Sequence, residues 1–173
     1  YRNKILSEGL AASSPYGSNR ACVVAAPPEP EVSYKLRVST SAQAKQSIAG
    51  TSAPVYDYVT TSTAPSDADK ETVNANVRLN WSATPNAEVA DKSKLISGYG
   101  FSNQGKNQKG PEFKPSDFGW DVWPAGSYWY NVAFSKQKGM KAAVTHNGLS
   151  NKATEYWTVP GYTLNVSTTH QMP

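Results

Sequence analysis

Cysteine is almost missing from this 173-residue chain: Cys22 is the only one, so no intrachain disulfide can form. It sits in the apolar run Ala21-Cys22-Val23-Val24, where a small buried residue is expected rather than a redox thiol. Histidine is nearly as scarce. His146 and His170 stand apart, and no His-x-x-x-His or Cys-x-x-Cys spacing exists, which argues against a zinc site. No Asp-x-Asp-x-Asp-Gly loop is present, and Asp67, Asp69 and Glu71 read as a solvated acidic loop, so no metal is expected. There is no Gly-x-Ser-x-Gly elbow, Gly-x-Gly-x-x-Gly turn or Walker loop. Glu112, Asp117 and Asp121 flank an aromatic stretch, but nothing else marks them as a glycosidase acid pair. The expectation is a protein that is not an enzyme and has no cofactor.

Long apolar runs are missing too. No stretch approaches the ~18 residues of a membrane span, and no basic segment leads into an apolar one as in a signal peptide. Tyr1 in place of an initiator methionine suits a processed product or a fragment of a longer precursor. Charge is sparse as well: charged residues are 17% of the chain, and Ser, Thr, Asn, Gly, Pro and Ala fill the space. That balance is expected of β-rich extracellular or particle proteins, not of helical cytosolic enzymes. A chain of this length buries roughly 70% of its unfolded surface, enough for a core without cross-links.

The net charge of +4 is unevenly spread. The excess lies after residue 90 and is all lysine, as in Gln104-Gly105-Lys106-Asn107-Gln108-Lys109-Gly110. Such lysines suit a solvated loop first. Against nucleic acid they offer only a nonspecific polyanion contact, as inside a capsid.

What the sequence has is alternation. In TVNANVRLNW, residues 72–81, Val73, Ala75, Val77, Leu79 and Trp81 alternate with polar residues. This is a half-buried antiparallel strand. Tyr34, Leu36 and Val38 repeat the pattern, as do Tyr128, Tyr130, Val132 and Phe134. In VYDYVT, residues 55–60, Tyr56 and Tyr58 share one face and Asp57 takes the other. Further strands are expected over 140–146, 154–159 and 162–168, set off by Gly, Pro and Asn turns. The sum is an all-β fold: an antiparallel β-sandwich or jelly roll of about seven to nine short strands. Residues 32–173 form the domain, with a glycine-rich loop expected at about 97–119. Residues 1–31 read as an extended N-terminal arm, a short helix and then a strand over 21–26, bordered by Pro27, Pro28 and Pro30.

The stretch GWDVWPAGSYWYNVAF, residues 119–134, holds three of the five tryptophans. Tyr128, Tyr130, Val132 and Phe134 belong to a core. Trp120, Trp123 and Trp129 are either core as well or an exposed platform on which a sugar ring stacks. Asn80-Trp81-Ser82 and Asn165-Val166-Ser167 are sequons, and both asparagines fall on the polar side of their alternation, open to glycosylation.

Three functions compete. The first is a structural subunit of an extracellular filament (a pilus) or a virion capsid, self-assembling by strand exchange. There Ala21, Cys22, Val23, Val24 and Ala25 of the arm complete a neighbour's sheet. The second is a carbohydrate-binding module or adhesin using the three tryptophans. The third is a membrane-active toxin. The expected partner is another copy of the chain, or a glycan, at an extracellular, cell-surface or virion location.

Overall fold

The structure, a computed structural model, describes residues 33–42, 50–161 and 167–169. The expected arm (residues 1–31), most of the final strand, Asn165 and His170 lie outside the described residues.

The chain is an all-β sandwich. Among the described residues it has eight strands: β1 (Lys35–Ala42), β2 (Asp57–Ala64), β3 (Thr72–Ser82), β4 (Lys92–Ser102), β5 (Gly105–Lys109), β6 (Gly126–Phe134), β7 (Val144–Asn147) and β8 (Tyr156–Val159). A 3-10 turn (Pro115–Phe118) and one helical turn, α1 (Lys152–Glu155), complete it. The small sheet runs β1-β2-β5 and the large one β4-β3-β6-β7, with β8 paired to the other end of β6. Every strand pair is antiparallel.

The inward faces follow the alternation. Val73, Ala75, Val77 and Leu79 of β3 meet Tyr128, Tyr130, Val132 and Phe134 of β6, all at most 1% exposed. Leu36 and Val59 close the core from the small sheet. That sheet also turns threonines inward. Thr61 is buried but satisfied: its hydroxyl donates to the Ser102 carbonyl (2.6 Å) and accepts from the Gly105 amide (3.0 Å).

The expected loop over 97–119 is largely ordered structure. β4 extends to Ser102, β5 follows after two residues, and the 3-10 turn takes Pro115–Phe118. The glycines there misled the reading because β4 and β5 are edge strands, where little needs packing. Gly98 stands at a positive φ of 67° beside the register shift between Ala75 and Val77.

At the far end of the large sheet the alternation stops. Asp91 ties the 83–90 loop to the end of β3, accepting from the Ser82 hydroxyl (3.1 Å) and the Ala83 amide (2.8 Å). The loop then covers the outer face of β6. The Ser127 hydroxyl donates to Thr84, the Tyr156 hydroxyl donates to Ala87, and Lys152 pairs with Glu88 at 2.7 Å. Gly126 (φ 144°) allows the close approach there, since a Cβ would strike the Ser82 carbonyl and the Trp81 ring.

Candidate functional site

Trp123 has no exposed surface. Its ring meets Phe118, Trp120 and Tyr128, and its indole N–H donates to the Ala53 carbonyl at 2.7 Å. Trp129 is 3% exposed, stacked on Tyr156 at 5.5 Å beneath the 83–90 loop. Neither ring presents a face to a sugar, which corrects the platform reading for both. Trp120 is half-buried, with one face stacked on Phe118 at 4.9 Å and an edge contact to Trp81. The sequence pattern was sound for Tyr128, Tyr130, Val132 and Phe134, but it does not show that a loop covers the outer face of the same strand.

The sequon at Asn80 is likewise corrected. Asn80 is 5% exposed and its side-chain amide donates to the Trp129 carbonyl at 3.3 Å. Buried and bonded to β6, this nitrogen is closed to a transferase in the folded domain. A half-buried aromatic pair is formed instead by Tyr56 and Tyr58, edge to face at 5.4 Å, with Lys109 Nζ 4.4 Å from the Tyr56 ring centre.

Two arrangements stand out. The first is a slot between the sheets. Residues 140–147 run beside β1 in parallel. Tyr34 and Met140 form a parallel bridge at one end, and the Thr40 hydroxyl meets His146 Nε2 at 3.0 Å at the other. Among the described residues β1 and β7 are both sheet edges between these points, with no ladder joining them. The gap is about 500 Å³ and is lined by Lys35, Leu36 and residues 141–145. Val38 points inward between Leu36 and Thr40, yet is only half-buried, and so is Val144. The core is therefore incomplete along this seam. From Tyr34 to Thr40 the seam spans six residue steps, or roughly 20 Å of strand. Burial holds the His146 imidazole below its ordinary range, favouring the neutral ring.

The second is a buried acid pair. Asp57 opens β2 opposite Ala42, and Glu155 ends α1; both have no exposed surface. Asp57 faces the core because Tyr56 and Tyr58 face out, the side of the alternation that residue type alone would not choose. Burial first, and then the neighbouring Glu155 carboxyl, push the Asp57 carboxyl far above the usual carboxylate range. The Tyr58 backbone amide acts weakly the other way. Tyr130 faces the pair and its phenol is raised by burial and by both acids. Gly110 lets its strand close on this site, for a Cβ would lie 2.9 Å from the Asp57 carbonyl.

Among the described residues, no three metal-ligating side chains gather, and no helix is long and apolar enough to cross a membrane. Comparison with family models, with curated proteins and with solved structures gives no match.

Proposed function

We propose that the chain is a non-enzymatic structural subunit of an extracellular filament or virion. Ala21–Ala26 of one copy lies as a strand in the β1/β7 slot of the next. The observation that carries this is the slot itself: two strands that form no ladder with each other among the described residues, and two inward valines half-covered. A strand docking along this edge gains main-chain hydrogen bonds and covers the half-buried valines with its alternate side chains. Ala21–Ala26 is six residues, roughly the 20 Å of the seam, and either register turns small or β-branched apolar groups inward. Proline at 27, 28 and 30 favours an extended connector over a tight reversal, so the donor is placed in a second copy.

Cys22 is a built-in probe, being the chain's only thiol. A Val144→Cys variant, oxidised and run on a non-reducing gel, is expected to form intermolecular cross-links that Cys22→Ala abolishes. An intramolecular product would place the segment on its own domain. A monomer at all concentrations, without a cross-link, would sink the reading.

A further inference from the structure

Away from the 83–90 loop, the outer face of the large sheet carries two polar rows that the core does not use. In the first, Asn76 of β3, Ala133 of β6 and Thr145 of β7 stand side by side across three strands. With Gly98, Ser135 and Ala143 they line a hollow of about 410 Å³. That lies within the roughly 300–1,000 Å³ of small-molecule sites. Glycine and alanine leave the room, and amide and hydroxyl groups border it. The second row lies two residues further along the same strands, roughly 7 Å away. It consists of Arg78, Asn131 and Asn147, again directly opposite one another.

The hydrogen bonds fix what these side chains offer. Asn76 Oδ1 accepts from the Gly98 amide at 3.2 Å, Asn131 Oδ1 from the Gly148 amide at 2.9 Å, and Asn147 Oδ1 from the Leu149 amide at 2.8 Å. Each side-chain oxygen is thus committed to a backbone N–H, and each NH₂ group is left as the donor. Arg78 can only donate. One of its N–H groups is held by the Ser93 hydroxyl at 2.9 Å, which orients the guanidinium. It is half-buried, and among the described residues no acidic side chain pairs with it. The second row is therefore a set of donors around an unpaired cation, complementary to an anion rich in acceptors.

We propose that this face binds a carboxylate-bearing saccharide. Arg78, Asn131 and Asn147 hold the carboxylate, and Asn76 and Thr145 meet ring hydroxyls in the hollow. A carboxylate is planar and accepts only, which matches a guanidinium fork. The hollow suits the sugar ring. Its amides and hydroxyls pair with ring hydroxyls, while Ala133 and Ala143 face the ring C–H groups. It has no exposed large apolar side chain to anchor a peptide, since Phe134 in its lining is buried. A single cation does not follow a phosphate backbone, which disfavours nucleic acid. The proposal does not rest on strand exchange between copies.

Calorimetric titration of the full chain with sialyllactose, digalacturonate and neutral lactose tests it. At least one acidic saccharide is expected to bind, and lactose about tenfold or more weaker. Which acid binds identifies the source of the carboxylate. Arg78→Gln should weaken that binding about tenfold or more, and Arg78→Lys, which keeps the charge, should recover part of it. Ala133→Leu fills the hollow and should abolish binding while circular dichroism stays that of the wild type. In the wild type itself, the bound saccharide should shift the side-chain amide resonances of Asn76, Asn131 and Asn147. No binding of either acid at millimolar concentration, equal binding of lactose, or shifts confined to other residues would each overturn the assignment. So would unchanged affinity in both Arg78→Gln and Ala133→Leu.

Discussion

Replacing Trp123 by alanine separates core from platform most sharply. The side chain is fully buried among three aromatic rings, and its N–H caps the Ala53 carbonyl. Its backbone also pairs with the 50–51 segment: Gly50 N–H donates to Trp123 at 3.0 Å, and Trp123 N–H donates to Thr51 at 2.8 Å. Removing roughly 200 Å² of buried ring at about 25 cal/mol per Å² costs about 5 kcal/mol. Partial collapse of the cavity lowers this towards the ~3–5 kcal/mol usual for Trp→Ala. The orphaned Ala53 carbonyl adds about 1 kcal/mol. The expected total is about 4–6 kcal/mol, or a melting temperature lower by roughly 8–24 °C at about 2–4 °C per kcal/mol. Trp123→Phe keeps most of the packing and loses the hydrogen bond, so about 1–2 kcal/mol is expected. Urea midpoints read by near-ultraviolet circular dichroism, with calorimetry, measure both. A loss under about 1 kcal/mol for Trp123→Ala would refute the burial argument.

Other outcomes follow from the same packing. In a eukaryotic secretory host, intact-mass analysis should find Asn80 unmodified, and Asn80→Ala should cost about 1–2 kcal/mol by removing its buried hydrogen bond to the Trp129 carbonyl. Gly126→Ala should cost at least about 2 kcal/mol in urea melts, because it adds a Cβ at φ 144° against the Ser82 carbonyl. Val38→Lys places a charge in the slot and should abolish assembly in sedimentation while leaving the monomer folded; unchanged assembly would move the docking strand elsewhere.

The legible parts of the fold were those where one physical rule acts alone. On β3, from Val73 to Leu79, one face is core and the other water, so alternation reads directly. It fails from Asn80 onward because a loop 83–90, chosen by Asp91 and Gly126 rather than by hydrophobicity, roofs the polar face. Trp129 and Asn80 were therefore invisible as buried residues for a single shared reason. At Asp57 the alternation itself was correct, but its direction was not decidable, since two tyrosines normally outweigh one aspartate for a place in the core. Its neighbour at that site, Glu155, stands nearly a hundred residues away in the chain. The glycines of β4 read as loop because edge strands tolerate them. The slot left no sequence trace at all: it arises from two strands of different sheets that run side by side without pairing.

His146 and the acid pair act on stability with opposite signs, and their overlap gives a test that neither offers alone. A histidine held neutral by burial contributes stability that is full above pH 6.5 and is lost as the pH falls towards its lowered folded value. The raised Asp57 carboxyl loses stability in the other direction, by about 1.4 kcal/mol per pH unit between its unfolded value near 4 and its folded one. In the window just below pH 6.5 the two slopes therefore oppose each other. His146 is only half-buried, so solvent weakens its share and the offset is partial. The wild type should show a shallow decline in that window and a steeper one above it. His146→Asn removes the opposing slope, so stability should fall at one steady rate from pH 4 upward. Asp57→Asn removes the other, so stability should rise with pH up to about 6.5 and then level off. Two single variants bending the same curve in opposite senses could not result from general loosening, which lowers a profile without reshaping it. If both variants kept the wild-type shape, neither group would be sensing protons in the folded domain, and the slot's His146–Thr40 contact would be a packing contact alone.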